Sequence, residues 1–250
     1  MDLNFVFFEY YIVAALVFYA LSAVPVFLNA RRLGSLLVIV GLFCNVAALA
    51  SRGCIGGDWY LFPMAADELH LIPTIMAVCA YPAIRVRKRR EALAVVGALI
   101  VVTFIAVVAQ ADPPVPTIKG KTVAATLFFV SEAVSVALFF LAAAIACAVL
   151  PTSYPVKESW NGLVLRGFMV FTLCQIMGAF WAFVGWSYPF SWSTRHLLSA
   201  SIWCFYGAAI HARYMGMQRK SKALLPVIGI IPIVLMVYHH QIIELLGVLP

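Results

Sequence analysis

Residues 122–150 read TVAATLFFVSEAVSVALFFLAAAIACAVL and contain one charged residue, Glu132. A helix crosses the hydrocarbon core of a bilayer with about 20 apolar residues, and backbone polar groups in hydrocarbon must be hydrogen-bonded within their own segment. This stretch therefore predicts a membrane-spanning helix.

Similar apolar runs recur along the whole chain. Hydrophobic residues make up 64% of its 250 residues and charged residues 11%, whereas a soluble domain is nearer half apolar and a quarter charged. These proportions exclude a soluble catalytic domain and predict an all-α polytopic membrane protein, with residues 1–250 forming a single integral membrane domain. About eight transmembrane helices are predicted, at residues 5–28, 33–50, 61–84, 92–110, 122–150, 162–186, 196–214 and 223–247.

The distribution of positive charge predicts the orientation of these helices. The chain has 17 Lys and Arg against 10 Asp and Glu. If both termini are extracytoplasmic, only Arg52, Lys119, Lys121 and Arg195 lie on the outer side and all other Lys and Arg lie on the cytoplasmic side, as the positive-inside rule requires. The excess of positive charge thus indicates insertion into membrane lipid, and no nucleic-acid partner is expected.

Tryptophan is concentrated in residues 181–203, which comprise a predicted extracytoplasmic loop and the start of the following helix. This segment contains four of the six Trp, and its aromatic residues alternate from Trp186 to Trp192. One interpretation is an aromatic belt at the membrane interface. The other is a flat apolar wall for a planar ligand, with Arg195 contacting carboxylates of that ligand.

Residues 181–214, WAFVGWSYPFSWSTRHLLSASIWCFYGAAIHARY, resemble the tryptophan-rich heme-handling segment of the cytochrome c assembly family (CcsA/CcmC type). The resemblance implies a heme-handling protein of the bacterial inner (cytoplasmic) membrane, which holds or presents non-covalent b-type heme at the extracytoplasmic face for cytochrome c maturation. The implied partners are heme and either an apocytochrome c or a membrane subunit with an extracytoplasmic domain. The matching residues are Trp181, Ala182, Trp186, Ser191, Trp192, Trp203, Tyr206, His211 and Arg213.

The match is incomplete after Trp192, where Ser193, Thr194 and His196 replace an aspartate, a proline and a glutamate of the family segment. In the family, two histidines that flank the tryptophan loop ligate the heme iron, but residues 119–130, where the first is expected, contain no His. Two functions therefore stay open. The chain is either a heme-presenting protein, including the membrane part of a heme lyase (cytochrome c synthase), or a non-catalytic CcsA-like scaffold or regulatory subunit of a heme or respiratory complex that has partly lost the heme site.

The five His are candidate ligands because neutral imidazole is the usual axial ligand of heme iron. The predicted topology places all of them except His211 toward the outer side. The predicted ligand pair is His196 with His239 or His240, with His70 as a substitute; the alternative is that these are interfacial polar residues. His211 either meets the negative end of its helix dipole or, as the resemblance implies, belongs to a second, intramembrane heme site. The complete set of predicted heme-binding residues is His70, His196, His211, His239, His240, Trp181, Trp186, Trp192 and Arg195.

Glu132 lies inside a predicted span, where ionisable side chains are rare and usually functional. The sequence leaves three interpretations open: a proton relay, an ion pair with a cation, or a protonated side chain that is hydrogen-bonded to a neighbouring helix.

Overall fold

The computed structural model describes residues 3–55, 68–109, 122–150, 159–212 and 214–245, and the side chains of 3–6, 53–55, 68 and 239–245 are outside this description. Every regular element within these ranges is an α-helix. In chain order they are α1 (Leu3–Phe27), α2 (Arg31–Ile55), α3 (Glu68–Val86), α4 (Arg89–Val108), α5 (Val123–Val149), α6 (Asn161–Trp186), α7 (Thr194–Ala212), α8 (Arg219–Ile228) and α9 (Ile230–Leu245).

Seven spans in the described residues are long and apolar enough to cross a membrane: one in each of α1 to α6, and one that runs through α8 into α9. The chain is therefore an integral membrane protein with an all-helical fold, as its composition predicts. α7, the remaining predicted span, is not among the seven. It has 19 residues, but polar side chains such as Arg195, His196 and Ser199 make it less apolar than the others.

α5 is the central helix of the bundle. Within its apolar window 72% of the residues are buried, against 22–44% for the other six spans. It contacts α3, α4, α6, α8 and α9. Near its middle, the ring of Phe139 stacks on Tyr206 of α7 with centroids 3.7 Å apart and meets Phe171 of α6 edge to face at 6.2 Å. α5 therefore positions the two helices that flank the tryptophan segment.

α1 and α2 approach each other closely through two glycines of α2. A Cβ on Gly34 would lie 2.5 Å from Cγ2 of Val26, and a Cβ on Gly41 would lie 2.5 Å from Cε1 of Tyr19. These separations are far below van der Waals contact. Glycine therefore allows the two helices to pack at a distance that any larger residue would increase.

The predicted span at residues 223–247 corresponds to an apolar span at Arg219–Tyr238, which is divided at Gly229 into α8 and α9. Pro232, in the first turn of α9, has no backbone N–H to donate to the carbonyl of Ile228, which breaks the ladder of helical hydrogen bonds. The interruption packs against α7, because a Cβ on Gly229 would lie 2.7 Å from Cε1 of Phe205 and 2.8 Å from Oη of Tyr206.

Candidate functional site

A loop between α6 and α7 forms one side of a large cavity. α6 ends at Trp186 because Ser187 adopts a left-handed conformation with φ 65°, and α7 begins at Thr194. The cavity between α5, α6, this loop and α7 has a volume of about 820 Å³, which is within the range of small-molecule binding sites. Its aromatic lining residues are Phe128, Phe129, Trp181, Trp186, Tyr188, Phe190 and Trp203, and its polar ones include Thr172, Gln175, Ser191, Arg195, His196 and Ser199.

Trp181 is the centre of the aromatic lining. Its ring is roughly parallel to Phe128 at 5.9 Å, and it meets Phe129 at 5.6 Å and Trp186 at 5.3 Å edge to face. The interplanar angle between the two indoles is 81°. Phe190 and Trp192, two of the alternating residues, likewise meet at an interplanar angle of 83°. Aromatic neighbours favour such edge-to-face contact, so the alternating residues do not form a flat wall. The rings that line the cavity form a concave apolar surface instead.

Trp192, in contrast, is directed away from this lining. Its side chain is 84% exposed, it does not line the cavity, and its ring meets the edge of Phe190 at 5.6 Å. Three of the four aromatic residues that alternate in the sequence thus line the cavity, and the fourth lies at its rim.

His196 lines the cavity with one ring nitrogen fixed. Its Nδ1 lies 3.0 Å from Oγ of Ser191 and 2.8 Å from Oγ of Ser193, and its ring meets the edge of Phe190 at 5.4 Å. When Nδ1 carries the proton and donates to these hydroxyls, Nε2 is the nitrogen with a free lone pair. This tautomer is the neutral imidazole that coordinates metals.

Arg195 connects the first turn of α7 to the central helix. Its Nη2 donates to Oε2 of Glu132 at 2.5 Å, and its guanidinium lies over the ring of Phe128 with Cζ 5.7 Å from the centroid. Glu132 is fully buried, whereas the Arg195 side chain is 34% exposed toward the cavity side. Of the three interpretations for Glu132, the structure shows the ion pair with a cation.

Two of the other predicted histidines, His70 and His211, are described and do not line this cavity. His70 of α3 is buried against Phe8 of α1, with ring centroids 4.9 Å apart. His211 lies at the opposite end of α7 from His196, about 22 Å away along the helix axis at ~1.5 Å per residue, and its Nδ1 lies 2.8 Å from the carbonyl oxygen of Gly207. The side chains of His239 and His240 are outside the description. In the part of the chain that is described, no three His, Cys, Asp or Glu side chains form a group suited to a metal ion.

Several lining residues were not among the predicted site residues. Phe128 and Phe129 of α5 and Thr172 and Gln175 of α6 line the cavity, and Thr172 Oγ1 accepts a hydrogen bond of 3.1 Å from Nε1 of Trp203. For the α5 residues the usable signal is Glu132, because a buried acid requires a cationic partner. Phe128 lies one helical turn before Glu132 and is therefore on the same face of α5. The α6 residues have no comparable signal.

Comparison with known proteins finds similarity over part of the chain. No protein-family model matches. Among curated relatives, the cytochrome c biogenesis protein CcsA of Prochlorococcus marinus strain MIT 9312 is 35% identical over 72 residues, which is 28% of this chain and 23% of the relative. For the CcsA of strain MIT 9215 the identity is 34% over 73 residues, or 29% and 24% of the two chains, and for that of strain MIT 9303 it is 36% over 69 residues, or 27% and 22%. The match thus spans about a quarter of the length of these relatives, which supports a distant relationship to CcsA.

Proposed function

We propose that the protein holds non-covalent b-type heme in the aromatic cavity, with His196 as an axial ligand, and presents it for cytochrome c maturation. The observation that carries this proposal is the position of His196, whose Nδ1 is held by two serine hydroxyls at the edge of an aromatic cavity of about 820 Å³. Hydrogen-bonded support of this kind orients ligating histidines in metal sites. The similarity to proteins named for cytochrome c biogenesis supports the same function.

The residues of the cavity fit heme in their chemistry. A porphyrin is large, planar and mostly apolar, and Trp181, Trp186 and Phe190 offer aromatic surface of matching character. Bound heme would supply an iron that accepts imidazole nitrogen as a ligand. Ser191 and Ser193 would then hold the imidazole tautomer, and the aromatic rings would exclude water.

For the second ligand we propose His239 or His240. Oγ of Ser199, one turn after His196 in α7, lies 3.4 Å from Sδ of Met236 in α9. α7 and the last helix pair are joined by a short connection and run in opposite directions. His196 lies one turn before Ser199, and His239 and His240 lie one turn after Met236. Because the helices are antiparallel, both positions are at the same end of the helix pair. His196 and the His239–His240 pair are thus at a similar level, whereas His70 and His211 belong elsewhere in the bundle.

The proposal includes the orientation of the chain. α7 forms an eighth crossing in addition to the seven apolar spans, both termini are extracytoplasmic, and residues 1–250 form one domain of the bacterial inner membrane. This arrangement follows the positive-inside rule and opens the cavity toward the extracytoplasmic side. The partners would then be an apocytochrome c or a membrane subunit with an extracytoplasmic domain.

A second candidate function is a membrane scaffold or regulatory subunit that binds no heme. The observation that favours it is the absence of His from residues 119–130, where the resembling family has a ligand.

The two candidates differ in their absorbance spectra. The full chain is purified in detergent, supplied with hemin, and recorded in oxidised and reduced form. A Soret band and sharp reduced bands that are lost in His196→Ala and in the His239→Ala/His240→Ala double variant support the proposal, and His211→Ala is the matched control that keeps them. A folded wild-type chain without heme bands would contradict it and favour the scaffold.

A further inference from the structure

The ion pair of Glu132 and Arg195 has features that a simple cavity wall does not need. Glu132 is fully buried in the most buried helix of the bundle. Its Oε2 accepts from Arg195, while its Oε1 is buried without a hydrogen-bond partner among the described residues. A buried carboxylate is stable only when a counter-charge compensates it. The guanidinium of Arg195 is therefore needed to compensate the charge of Glu132, whether or not a ligand is bound.

Arg195 is also held from a second direction. Phe128, one turn before Glu132 on α5, provides an aromatic face under the guanidinium at 5.7 Å, a geometry that attracts cations. Both contacts are made to α5, and Arg195 is the residue directly before His196 in the first turn of α7. Fixing Arg195 on α5 consequently fixes the turn that carries His196.

Arg195 is, in addition, the only Lys or Arg among the described residues that line the cavity. If its charge is neutralised by Glu132, the described lining offers no other permanently charged group for the carboxylates of a ligand. Moving the guanidinium to a ligand carboxylate would leave the buried Glu132 without its counter-charge, and leaving a buried charge unpaired is costly.

We infer that Glu132 is the positioning residue of the cavity: it holds Arg195, and through it the first turn of α7, so that the cavity recognises the apolar face of a porphyrin and not its carboxylates. This inference rests on the proposed function and refines it by stating which part of the ligand is recognised. It replaces the expectation that Arg195 contacts ligand carboxylates with a structural role for the guanidinium.

The test uses two iron-free probes, protoporphyrin IX and its dimethyl ester, in which the two ionisable carboxyl groups are replaced by uncharged methyl esters. Each is titrated into the full chain in detergent, and binding is followed by quenching of tryptophan fluorescence. The variants are Glu132→Gln, Arg195→Gln and the double variant Glu132→Gln/Arg195→Gln. Trp192→Phe, which alters an indole outside the cavity, is the control for nonspecific quenching.

The inference expects the wild-type chain to bind the diacid and the diester with dissociation constants within about threefold of each other. In Glu132→Gln the guanidinium loses its buried counter-charge, and the diacid should be favoured by about tenfold or more, as expected for a charge-assisted hydrogen bond. In the double variant this preference should disappear. A purely structural role for Glu132 would weaken both probes equally and would leave their ratio unchanged.

A wild-type preference of about tenfold for the diacid that is lost in Arg195→Gln would overturn the inference while leaving the proposed function intact. An unchanged ratio in Glu132→Gln would overturn it as well. Binding of neither probe by the wild-type chain would contradict the proposed function and, with it, the inference. The wild-type ratio needs no variant, so the test holds even if a substituted chain does not fold.

Discussion

The α1–α2 pair and the α6–α7 pair join neighbouring helices in opposite ways. α1 and α2 are drawn together by Gly34 and Gly41, where a Cβ would lie 2.5 Å from the nearest side chain. α6 and α7 share far fewer contacts, and large aromatic side chains line the space between them. Because lipid provides no hydrophobic driving force between helices, their close packing depends on small residues. The glycines of α2 therefore allow close contact with α1, whereas the large aromatic residues between α6 and α7 keep those helices apart and line a cavity.

The largest effect is expected for the ion pair beside the cavity between α6 and α7. Arg195→Ala removes the counter-charge of the fully buried Glu132, which should lower the free energy of unfolding by roughly 3–5 kcal/mol. Arg166 of α6, which is exposed, offers the control: Arg166→Ala should change stability by less than about 0.5 kcal/mol. Equal thermal unfolding of the two variants in detergent would show that the buried carboxylate does not need Arg195.

The close contact between α1 and α2 should be sensitive to a single added methyl group. Gly41→Ala places a Cβ against the buried ring of Tyr19 and should destabilise the protein by about 1–3 kcal/mol through overpacking. A Cβ on Gly97 of α4 meets nothing within 4 Å, so Gly97→Ala should be neutral or stabilise by up to about 1 kcal/mol. Denaturant unfolding measures both, and a stabilising Gly41→Ala would refute close packing at this contact.

Filling the cavity between α6 and α7 should affect porphyrin binding without affecting the fold. Ala200 of α7 is exposed and lines the cavity, and Ala200→Trp should reduce porphyrin affinity by about tenfold or more because the ring occupies ligand volume. Ala208 lies on the same helix outside the lining, and Ala208→Trp should keep wild-type affinity. Porphyrin absorbance titrations compare the two, and equal affinities would mean that the ligand binds elsewhere.

The smallest effect is expected at the rim. Trp192 is 84% exposed and does not line the cavity, so Trp192→Phe should change the free energy of unfolding by less than about 0.5 kcal/mol. Trp186, which packs edge to face on Trp181, should show a measurable loss of porphyrin affinity as Trp186→Phe. If Trp192→Phe is the more damaging of the two in titration and unfolding, the aromatic surface has been assigned to the wrong indole.

Helix positions could be predicted from the sequence where apolar runs have clear ends. The run at 122–150 corresponds to α5 at Val123–Val149, and the run at 162–186 corresponds to α6 at Asn161–Trp186. The last run is harder, because residues 223–238 are apolar throughout, while Pro232 and Gly229 act on the backbone with little effect on hydropathy. Hydropathy reports transfer into lipid, and it does not report the continuity of hydrogen bonding.

The candidate site was predictable in composition but not in geometry. The cost of burying a charge shows that Glu132 needs a partner, but the choice of Arg195 depends on how α5 and α7 are rotated about their axes. The rotation of α7 likewise leaves His196 in the cavity, and that of α3 buries His70 against Phe8 of α1. Likewise, alternation of Trp186 to Trp192 suggested one flat surface, whereas Trp186 ends a helix and Ser187 then turns the chain in a left-handed conformation.

Contacts at two heights fix the last helix to α7. Gly229 lies against Phe205 and Tyr206, and Met236 lies against Ser199, about 10 Å further along the axis at ~1.5 Å per residue. Two separated points determine the direction of a rigid rod, so these contacts set the tilt of α9. A larger residue at position 229 would therefore push that part of the helix away from α7 while the contact between Met236 and Ser199 is kept. The tilt of α9 would change, and His239 and His240 would change position relative to α7.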